Sequence, residues 1–352
     1  MSRIEGIRSL LKELDIDGIL LFKPENRLYS SGFTGSTGYA LITENSAKFL
    51  TDFRYLEQAK EQCPDFEIVE ISRVKPLTDV LKGLSIKTLG FEEDFVTYSQ
   101  YNDFCQKLED VKLVPLDGGI LKLRSVKSKE ELQIIEKAAD ITDLAFQHIL
   151  NFIKPGQKET DVALELEYYM KKNGASKVSF ESIVASGKRS ALPHGVASEK
   201  IIEAGDLVTL DFGCTYKGYA SDMTRTLIIG KATEKQKEIY NIVLDAQIKS
   251  LNAVKPGLTG KELDKVARDY ITDKGYGEYF GHGLGHGVGL NVHELPHVNH
   301  IGDVPMEPGM VLTIEPGIYL PNYGGVRIED LVVVTENGFR VLSKSTKELI
   351  EL

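Results

Sequence analysis

The sequence has little cysteine, with only Cys63, Cys105 and Cys214 among 352 residues. An odd number of widely separated cysteines fits neither a disulfide framework nor a thiolate metal site. We therefore expect the three thiols to be reduced and structural.

Long apolar runs and an excess of positive charge are also missing. No run approaches the roughly 18 apolar residues that cross a bilayer, and 42 Lys and Arg against 52 Asp and Glu leave a net charge of −10. Negative net charge disfavours non-specific binding to nucleic acid or anionic lipid, because both are polyanions. We expect a cytoplasmic protein with no nucleic-acid and no membrane partner.

The chain is long enough, and at 42% hydrophobic apolar enough, for two domains. Helical spacing from Ile4 to Leu14 precedes strand candidates at residues 18–22, 38–42 and 47–50, which predicts an α/β domain. The basic stretch Leu121 to Lys127 is predicted to be extended, and Ser128 with Glu131 forms a capping-box signature for a new helix. We therefore expect domains at residues 1–122 and 123–352.

The second half contains an internal repeat. The sequence NFIKPG, which starts at Asn151, recurs as NAVKPG from Asn252, and EAGDLVTLDFG from Glu203 recurs as EPGMVLTIEPG from Glu307. The offsets are 101 and 104 residues. A duplicated unit of helix, turn, helix and strands predicts a catalytic domain with pseudo-twofold symmetry. Its axis would bring two carboxylates together.

Those carboxylates are Asp211 and Glu315, each at the end of an apolar run. Each repeat adds a second acid, Asp222 in YASDMTRTLII and Glu329 in GGVRIEDLVVV. Burying four carboxylates is unfavourable unless they are paired or coordinated. Arg327 lies two residues before Glu329 and can offset one charge. Divalent cations are therefore expected at this site.

Histidines cluster in the glycine-rich stretch FGHGLGHGVGLNVHELP. The alternating glycines argue against a helix, so His282 and His286 are not the helical pair of a zinc metalloprotease. The stretch also fails the dinucleotide fingerprint. We expect His286 to be a metal ligand and His293 a proton donor or oxyanion stabiliser. For His194 and His282 the residues leave open a backbone-satisfied loop histidine or one that faces substrate.

Four carboxylates and one imidazole form an oxygen-rich, hard site, which favours Mn, Co or Mg. Two ions with a bridging hydroxide nearly balance four negative charges, whereas one ion would not. Such a pair activates water and polarises a carbonyl, which predicts a hydrolase.

Five motifs, in order, resemble those of the metallopeptidase family that contains proline dipeptidase, aminopeptidase P, methionine aminopeptidase and creatinase. They are LDFG with Asp211, SDMTRT with Asp222, GHGVGL with His286, TIEPGIY with Glu315 and VRIED with Glu329. The resemblance covers nearly the whole chain. It implies an α+β pita-bread catalytic domain behind a smaller α/β creatinase-type domain.

The resemblance also implies roles for these residues. Asp222 and Glu329 would bridge two divalent ions, Mn or Co, while Asp211 completes one ion and His286 with Glu315 the other. Glu315 would also be the general base. The matching positions make His194 and His293 contacts to substrate and to the tetrahedral intermediate, and place His282 in the pocket beyond the scissile bond.

The front domain narrows the expected substrate. Asn26 to Ile42 and Thr51 to Ala59 resemble the amino-terminal domain of the Xaa-Pro peptidases, which most methionine aminopeptidases lack. We therefore expect a homodimeric exopeptidase that hydrolyses Xaa-Pro bonds in short proline-containing peptides. Where some prolidases carry an arginine for the substrate carboxylate, this chain has His297. The resemblance makes His297 a candidate for substrate binding, whereas the residues alone favour a rim or surface position. The departure argues against a restriction to dipeptides. The alternatives are a methionine aminopeptidase-like or creatinase-like hydrolase and a non-catalytic binding protein.

Overall fold

The structure is a computed structural model that describes residues 2–352. It divides into two compact units, Met1–Arg124 and Ser125–Leu352, so the division falls two residues after the expected boundary. Within residues 2–352, no helix is both long and apolar enough to cross a membrane. The cysteines are free, and Cys105 is exposed whereas Cys63 and Cys214 are buried.

The first unit is built on a six-stranded mixed sheet in the order β4-β3-β2-β1-β5-β6. Its central strand β1 is the apolar run Gly18–Leu21, which is buried along its whole length because both neighbours and the helices cover it. The remaining strands are β2 Tyr39–Thr43, β3 Ala47–Thr51, β4 Glu67–Glu70, β5 Thr88–Phe91 and β6 Lys112–Pro115. The helices are α1 Arg3–Leu14, α2 Pro24–Ser31, α3 Leu56–Gln62, α4 Leu77–Lys82, α5 Tyr98–Lys107 and α6 Gly119–Ser125.

Helix α6 corrects one prediction. Residues 121–125 were expected to be extended, but they lie in this helix. The helix places Ile120, Leu123 and Arg124 on one face, at spacings of three and four residues. Ile120 and Arg124 are buried, and Arg124 Nη1 donates to Asn26 Oδ1 at 2.8 Å. The basic composition of the stretch concealed this buried face.

The second unit has four helices and thirteen short strands in four sheets. The sheet orders are β11-β10-β7, β12-β9-β8, β14-β13-β15-β18-β19 and β16-β17. The helices are α7 Lys129–Ile149, α8 Glu159–Lys172, α9 Glu234–Ala253 and α10 Gly260–Asp273. The strands are β7 Lys177–Val178, β8 Ile183–Ser186, β9 Leu207–Phe212, β10 Cys214–Tyr216, β11 Tyr219–Ala220, β12 Met223–Ile228, β13 Gly285–Gly287, β14 Glu294–Val298, β15 Val311–Ile314, β16 Gly317–Leu320, β17 Gly324–Arg327, β18 Asp330–Thr335 and β19 Gly338–Val341.

The internal repeat is visible in the backbone. Each half contributes a helix pair, α7 with α8 and α9 with α10, and an antiparallel strand pair, β9 with β12 and β15 with β18. The turns also correspond: Gly156 and Gly257 have φ of 93° and 83°, and Gly205 and Gly309 have φ of 91° and 94°. Only glycine adopts this left-handed region without strain, so the repeated glycines preserve the turns of both halves.

Candidate metal centre

Two strand pairs supply the four carboxylates. Asp211 lies in β9 opposite Thr224 of β12, and Asp222 immediately precedes β12. Glu315 follows β15, and Glu329 immediately precedes β18. Because the two pairs are the equivalent parts of the repeat, each half presents its acids at the same end of its strands. The predicted pairing of carboxylates across the repeat is therefore present.

Three of the predicted ligands form a compact group. One ligand atom each of Asp222, His286 and Glu329 lies within 4.8 Å of the others. His286 is carried by β13, whose glycines let the backbone pass close to its neighbours: a Cβ on Gly285 would lie 2.1 Å from the carbonyl oxygen of Thr313. The glycine run thus permits close packing of the backbone beside the site.

Glu315 approaches the same imidazole nitrogen as Asp222. Its Oε1 lies 3.3 Å from His286 Nε2, which is also 3.6 Å from Asp222 Oδ2. Thr313 Oγ1 donates to the same Glu315 oxygen at 3.1 Å and accepts from the His286 amide at 3.1 Å. The other ring nitrogen, His286 Nδ1, lies 3.2 Å from the carbonyl oxygen of Gly287, which directs Nε2 towards the carboxylates.

Arg327 places a guanidinium cation among the four carboxylates. Its Nη2 donates to Asp211 Oδ2 at 2.6 Å, its Nη1 to the Tyr319 hydroxyl at 2.8 Å and its Nε to Thr224 Oγ1 at 3.1 Å. Thr224 Oγ1 in turn donates to Glu329 Oε2 at 2.7 Å. One buried guanidinium therefore orients two of the four acids.

Burial and mutual repulsion raise the pKa values of three of the four carboxyls. Burial, and then repulsion from Glu329 and Asp211, raises the pKa of Asp222 well above its ordinary value. Burial and repulsion from Glu315 also raise the pKa of Glu329, and burial raises that of Asp211 despite Arg327. Without added cations, burial and mutual repulsion therefore disfavour the ionised forms of these three carboxyls.

Glu315 behaves differently. Burial acts to raise its pKa, but the hydrogen bond and charge of His286 outweigh burial and lower the pKa of Glu315 to about 2. For His286, burial acts to lower the pKa, yet the interactions with Glu315 raise it overall. Imidazole and carboxylate therefore each favour the charged form of the other.

Two buried oxygen atoms show that the site fits divalent metal ions. Asp211 Oδ1 and Glu329 Oε1 are buried and have no hydrogen-bond partner. A buried acceptor without a partner costs about 1–3 kcal/mol, and more when it is charged. Both orphan oxygens belong to predicted ligands and contact the same cavity, so coordination would satisfy them.

His282 is held through Tyr319. Its Nδ1 lies 2.7 Å from the carbonyl oxygen of Gly283, which can only accept, so Nδ1 carries the proton. Burial lowers the pKa of His282, which keeps the ring neutral and leaves Nε2 as an acceptor for the Tyr319 hydroxyl at 2.8 Å. The same hydroxyl accepts from Arg327, so His282 is connected to Asp211 through two side chains.

The three other histidines predicted to contact substrate or the reaction intermediate differ in their location relative to the cavity. His194 and His293 line the same cavity of about 420 Å³ as the acids, and the His293 ring lies 4.1 Å from that of His286. Burial, and then the charge of His286, lowers the pKa of His293. His297 pairs with His286 in the β13–β14 register, but it is exposed and does not line the cavity.

Sequence reasoning missed Tyr319, Thr224 and Thr313 as parts of the site. The two threonines carried a detectable signal, since each lies two residues from a predicted ligand, Asp222 or Glu315, on a strand where alternate residues share a face. Tyr319 carried none, because its role depends on contact with His282, which lies 37 residues away in the sequence.

Two protein-family models match this chain. Residues 133–336 match Metallopeptidase family M24, and residues 3–126 match the Creatinase/Prolidase N-terminal domain. The chain belongs to metallopeptidase family M24. The resemblance inferred from the five motifs is thus confirmed, and so is the predicted fold, a pita-bread domain preceded by a creatinase-type domain. Membership of family M24 implies divalent metal ions as cofactors.

Relatives in family M24 align with the chain from end to end. An Xaa-Pro dipeptidase from Pyrococcus furiosus is 45% identical, with 99% of each chain covered. The structure of an Xaa-Pro dipeptidase from Bacillus anthracis is 53% identical, with 99% of each chain covered and a TM-score of 0.97. An X-Pro aminopeptidase from Thermotoga maritima is 42% identical over 100% of each chain, with a TM-score of 0.93.

Proposed function

We propose that this family M24 chain is an exopeptidase that hydrolyses the bond between an N-terminal residue and proline in dipeptides and short peptides. The observation that carries the proposal is the convergence of the five ligand residues and three histidines on one cavity. Relatives named for Xaa-Pro cleavage, which align over the whole chain, support the choice of substrate.

The metal part of the proposal is two divalent ions, Mn or Co. Asp222 and Glu329 would be shared between the ions, Asp211 would complete one, and His286 with Glu315 the other. The orphan oxygens Asp211 Oδ1 and Glu329 Oε1 support this assignment. When bound, such ions supply a water nucleophile at neutral pH and polarise the carbonyl under attack.

Side chains of the site would transfer protons and bind the substrate during hydrolysis. Glu315 is ionised at neutral pH, since its pKa lies near 2, and can accept a proton from the attacking water as general base. His293, whose pKa is lowered, is a neutral imidazole with one N–H for the oxygen of the scissile carbonyl. His194, which lines the same cavity, would contact the substrate.

The cavity wall suits proline. Phe180, Ile183, Pro193 and Val196 form its apolar part, next to the acids and His282. Proline has a fixed φ and no N–H, so a shaped apolar wall can select it.

The cavity also bears on peptide length. Its one arginine among residues 2–352 is Arg327, which is already bonded to Asp211, Tyr319 and Thr224. Among the described residues, no other guanidinium lines the cavity to bind the terminal carboxylate of a dipeptide, and His297 lies outside the lining. We therefore extend the proposal to Xaa-Pro peptides longer than two residues.

The direct test is release of free alanine from Ala-Pro and Ala-Pro-Ala by protein reloaded with Mn or Co after chelation, with the chelated protein as control. Cleavage of both peptides only after reloading is expected. Cleavage of Met-Ala-Ser but neither proline peptide would favour a methionine aminopeptidase-like enzyme instead. Metal analysis separates these outcomes from a non-catalytic binding protein, which would retain no ions. Light scattering tests the homodimer that the proposal includes.

A creatinase-like hydrolase is the other alternative from the same fold. The complete set of five ligand residues argues against it, because they converge on one cavity here with two oxygens left for coordination. Hydrolysis of creatine by the metal-free protein would support that alternative.

A further inference from the structure

Glu159, the first residue of α8, has a fully buried carboxylate that accepts five hydrogen bonds. Its Oε1 accepts from the amide and hydroxyl of Ser186 at 2.7 and 2.8 Å. Its Oε2 accepts from the amide and hydroxyl of Ser198 at 3.1 and 2.7 Å and from Arg189 Nη1 at 2.8 Å. A carboxylate offers only acceptors, so it suits five converging donors, whereas an amide would turn its NH₂ group towards some of them.

Four of these donors lie at the two ends of one segment, residues 186–198, and the fifth, from Arg189, lies within it. Ser186 ends β8 and Ser198 lies beyond the loop, so one carboxylate joins the two ends. Arg189 strengthens the closure, because its Nη2 donates to the carbonyl oxygen of Val196 at 2.8 Å. The segment between the ends carries three residues that line the cavity, Pro193, His194 and Val196.

The ring of His194 has no hydrogen-bond partner of its own within residues 2–352, and the residue is exposed. Its backbone is held, since the amide of Val196 donates to the His194 carbonyl oxygen at 2.9 Å. The position of the ring therefore follows from the backbone path of the segment. In contrast, His282 and His286 each have partners that orient the ring directly.

The repeat shows that the fold of a half does not require this carboxylate. The residue 101 positions after Glu159 is Gly260, which likewise begins a helix, α10. A Cβ there would lie 1.9 Å from the carbonyl oxygen of His297, so this helix packs directly on backbone. The two halves thus fasten their loops differently, and the carboxylate belongs to the half that carries His194.

We propose that Glu159 is a positioning residue that holds His194 in the active site through the segment 186–198. The kinetic part rests on the proposed function, in which His194 contacts substrate. The positional part does not, because it concerns where the ring lies in the free protein.

The test compares Glu159→Gln, His194→Ala and the double variant with the unmodified protein. We expect Glu159→Gln to lower kcat/KM for Ala-Pro about tenfold or more, since small displacements of site residues have such effects. In the His194→Ala background the same change should have no further effect, because the residue acts through the histidine. Metal content should be unchanged in all variants.

A second readout does not need activity. In the metal-free protein, the NMR signal of the His194 ring Cε1–H, assigned by its loss in His194→Ala, should shift or broaden in Glu159→Gln. The matched control is Asp143→Asn. Asp143 is also buried and accepts from the amides of Lys344 and Ser345, both at 2.8 Å, far along the chain from His194. The Asp143→Asn variant should lower the stability of the protein, but it should change neither the His194 NMR signal nor kcat/KM.

An equal loss of activity with and without His194, or an unmoved His194 signal, would overturn the proposal. If the unmodified protein cleaves no Xaa-Pro peptide, the proposed function fails and the NMR comparison still decides the positional part. Should Glu159→Gln not fold, Ser186→Ala removes only the hydroxyl donor at 2.8 Å and is expected to give the same changes at smaller size.

Discussion

Arg327 and Asp211 are separated by 116 residues in sequence, yet Arg327 Nη2 lies 2.6 Å from Asp211 Oδ2, and their side chains are only 3% and 13% exposed. This pair joins the second half of the repeat to the first inside the metal centre. Arg327 is thus the one permanent positive charge among the four acids.

Replacement of Arg327 by methionine should destabilise the metal-free protein by about 3–5 kcal/mol, because it leaves a buried acid and the Tyr319 hydroxyl without their partner. Urea unfolding after chelation measures this change. The control is Arg340→Met, since Arg340 pairs with Glu136 at 3.1 Å with 47% and 34% of the side chains exposed. That surface pair should contribute less than about 1 kcal/mol. Similar losses in both variants would contradict a special role for Arg327.

The variant Asp222→Asn should abolish metal binding and turnover together, with a loss of at least about a hundredfold in kcat/KM. It should also make the metal-free protein more stable at neutral pH, because it removes a carboxyl whose pKa is raised by burial and by its neighbours. Metal analysis and urea unfolding measure the two effects. Asp269→Asn, at an exposed i,i+4 ion pair, should change neither. Turnover without bound metal would refute the two-ion mechanism.

The stability of the metal-free protein should fall as pH rises. Asp211, Asp222 and Glu329 have raised folded-state pKa values, so their contribution is fully present below the ordinary values of 3.8 and 4.5 and is lost as pH rises through the raised ones. Glu315 acts oppositely, since its lowered pKa gives stability above 4.5 that is lost only as pH falls towards about 2.

Urea midpoints across about pH 5 to 8 test this expectation, with chelated and Mn-loaded protein in parallel. The chelated protein should lose stability across this range. The loaded protein should lose less, because metal ions replace the protons. Parallel curves for the two forms would count against a metal centre built from these carboxyls.

The variant Tyr319→Phe should lower kcat/KM about tenfold or more with metal content unchanged, because it frees His282 and removes one partner of Arg327. Burial raises the pKa of Tyr319 to about 12, so the hydroxyl remains a donor at neutral pH and the effect should not vary between about pH 6 and 9. Steady-state kinetics at several pH values measure this. Tyr323→Phe, at an exposed hydroxyl, is the matched control and should match the unmodified enzyme.

Much of the candidate metal centre could be predicted from the sequence because its proposed ligands follow local rules. Asp211 and Glu315 end apolar runs that form strands, and the repeat relates them at a fixed offset. The glycines around His286 argued against a helix from the sequence alone, and residues 285–287 form a strand. Each of these inferences uses only backbone periodicity and neighbouring residues.

Local rules failed where a residue's surroundings come from distant segments. The basic stretch at residues 121–125 is helical because Ile120 and Arg124 are buried against the rest of the first unit. His297 was assigned to substrate binding by resemblance, but it is exposed and does not line the cavity.

The sequence by itself determined which residue types could bind metal, their order along the chain and the duplication that pairs them. Only the tertiary structure decided that Arg327 bonds to Asp211, that Tyr319 connects Arg327 to His282 and that Glu159 closes the segment bearing His194. Strand periodicity specifies the face on which a side chain lies, whereas its partner depends on how strands far apart in sequence are brought together.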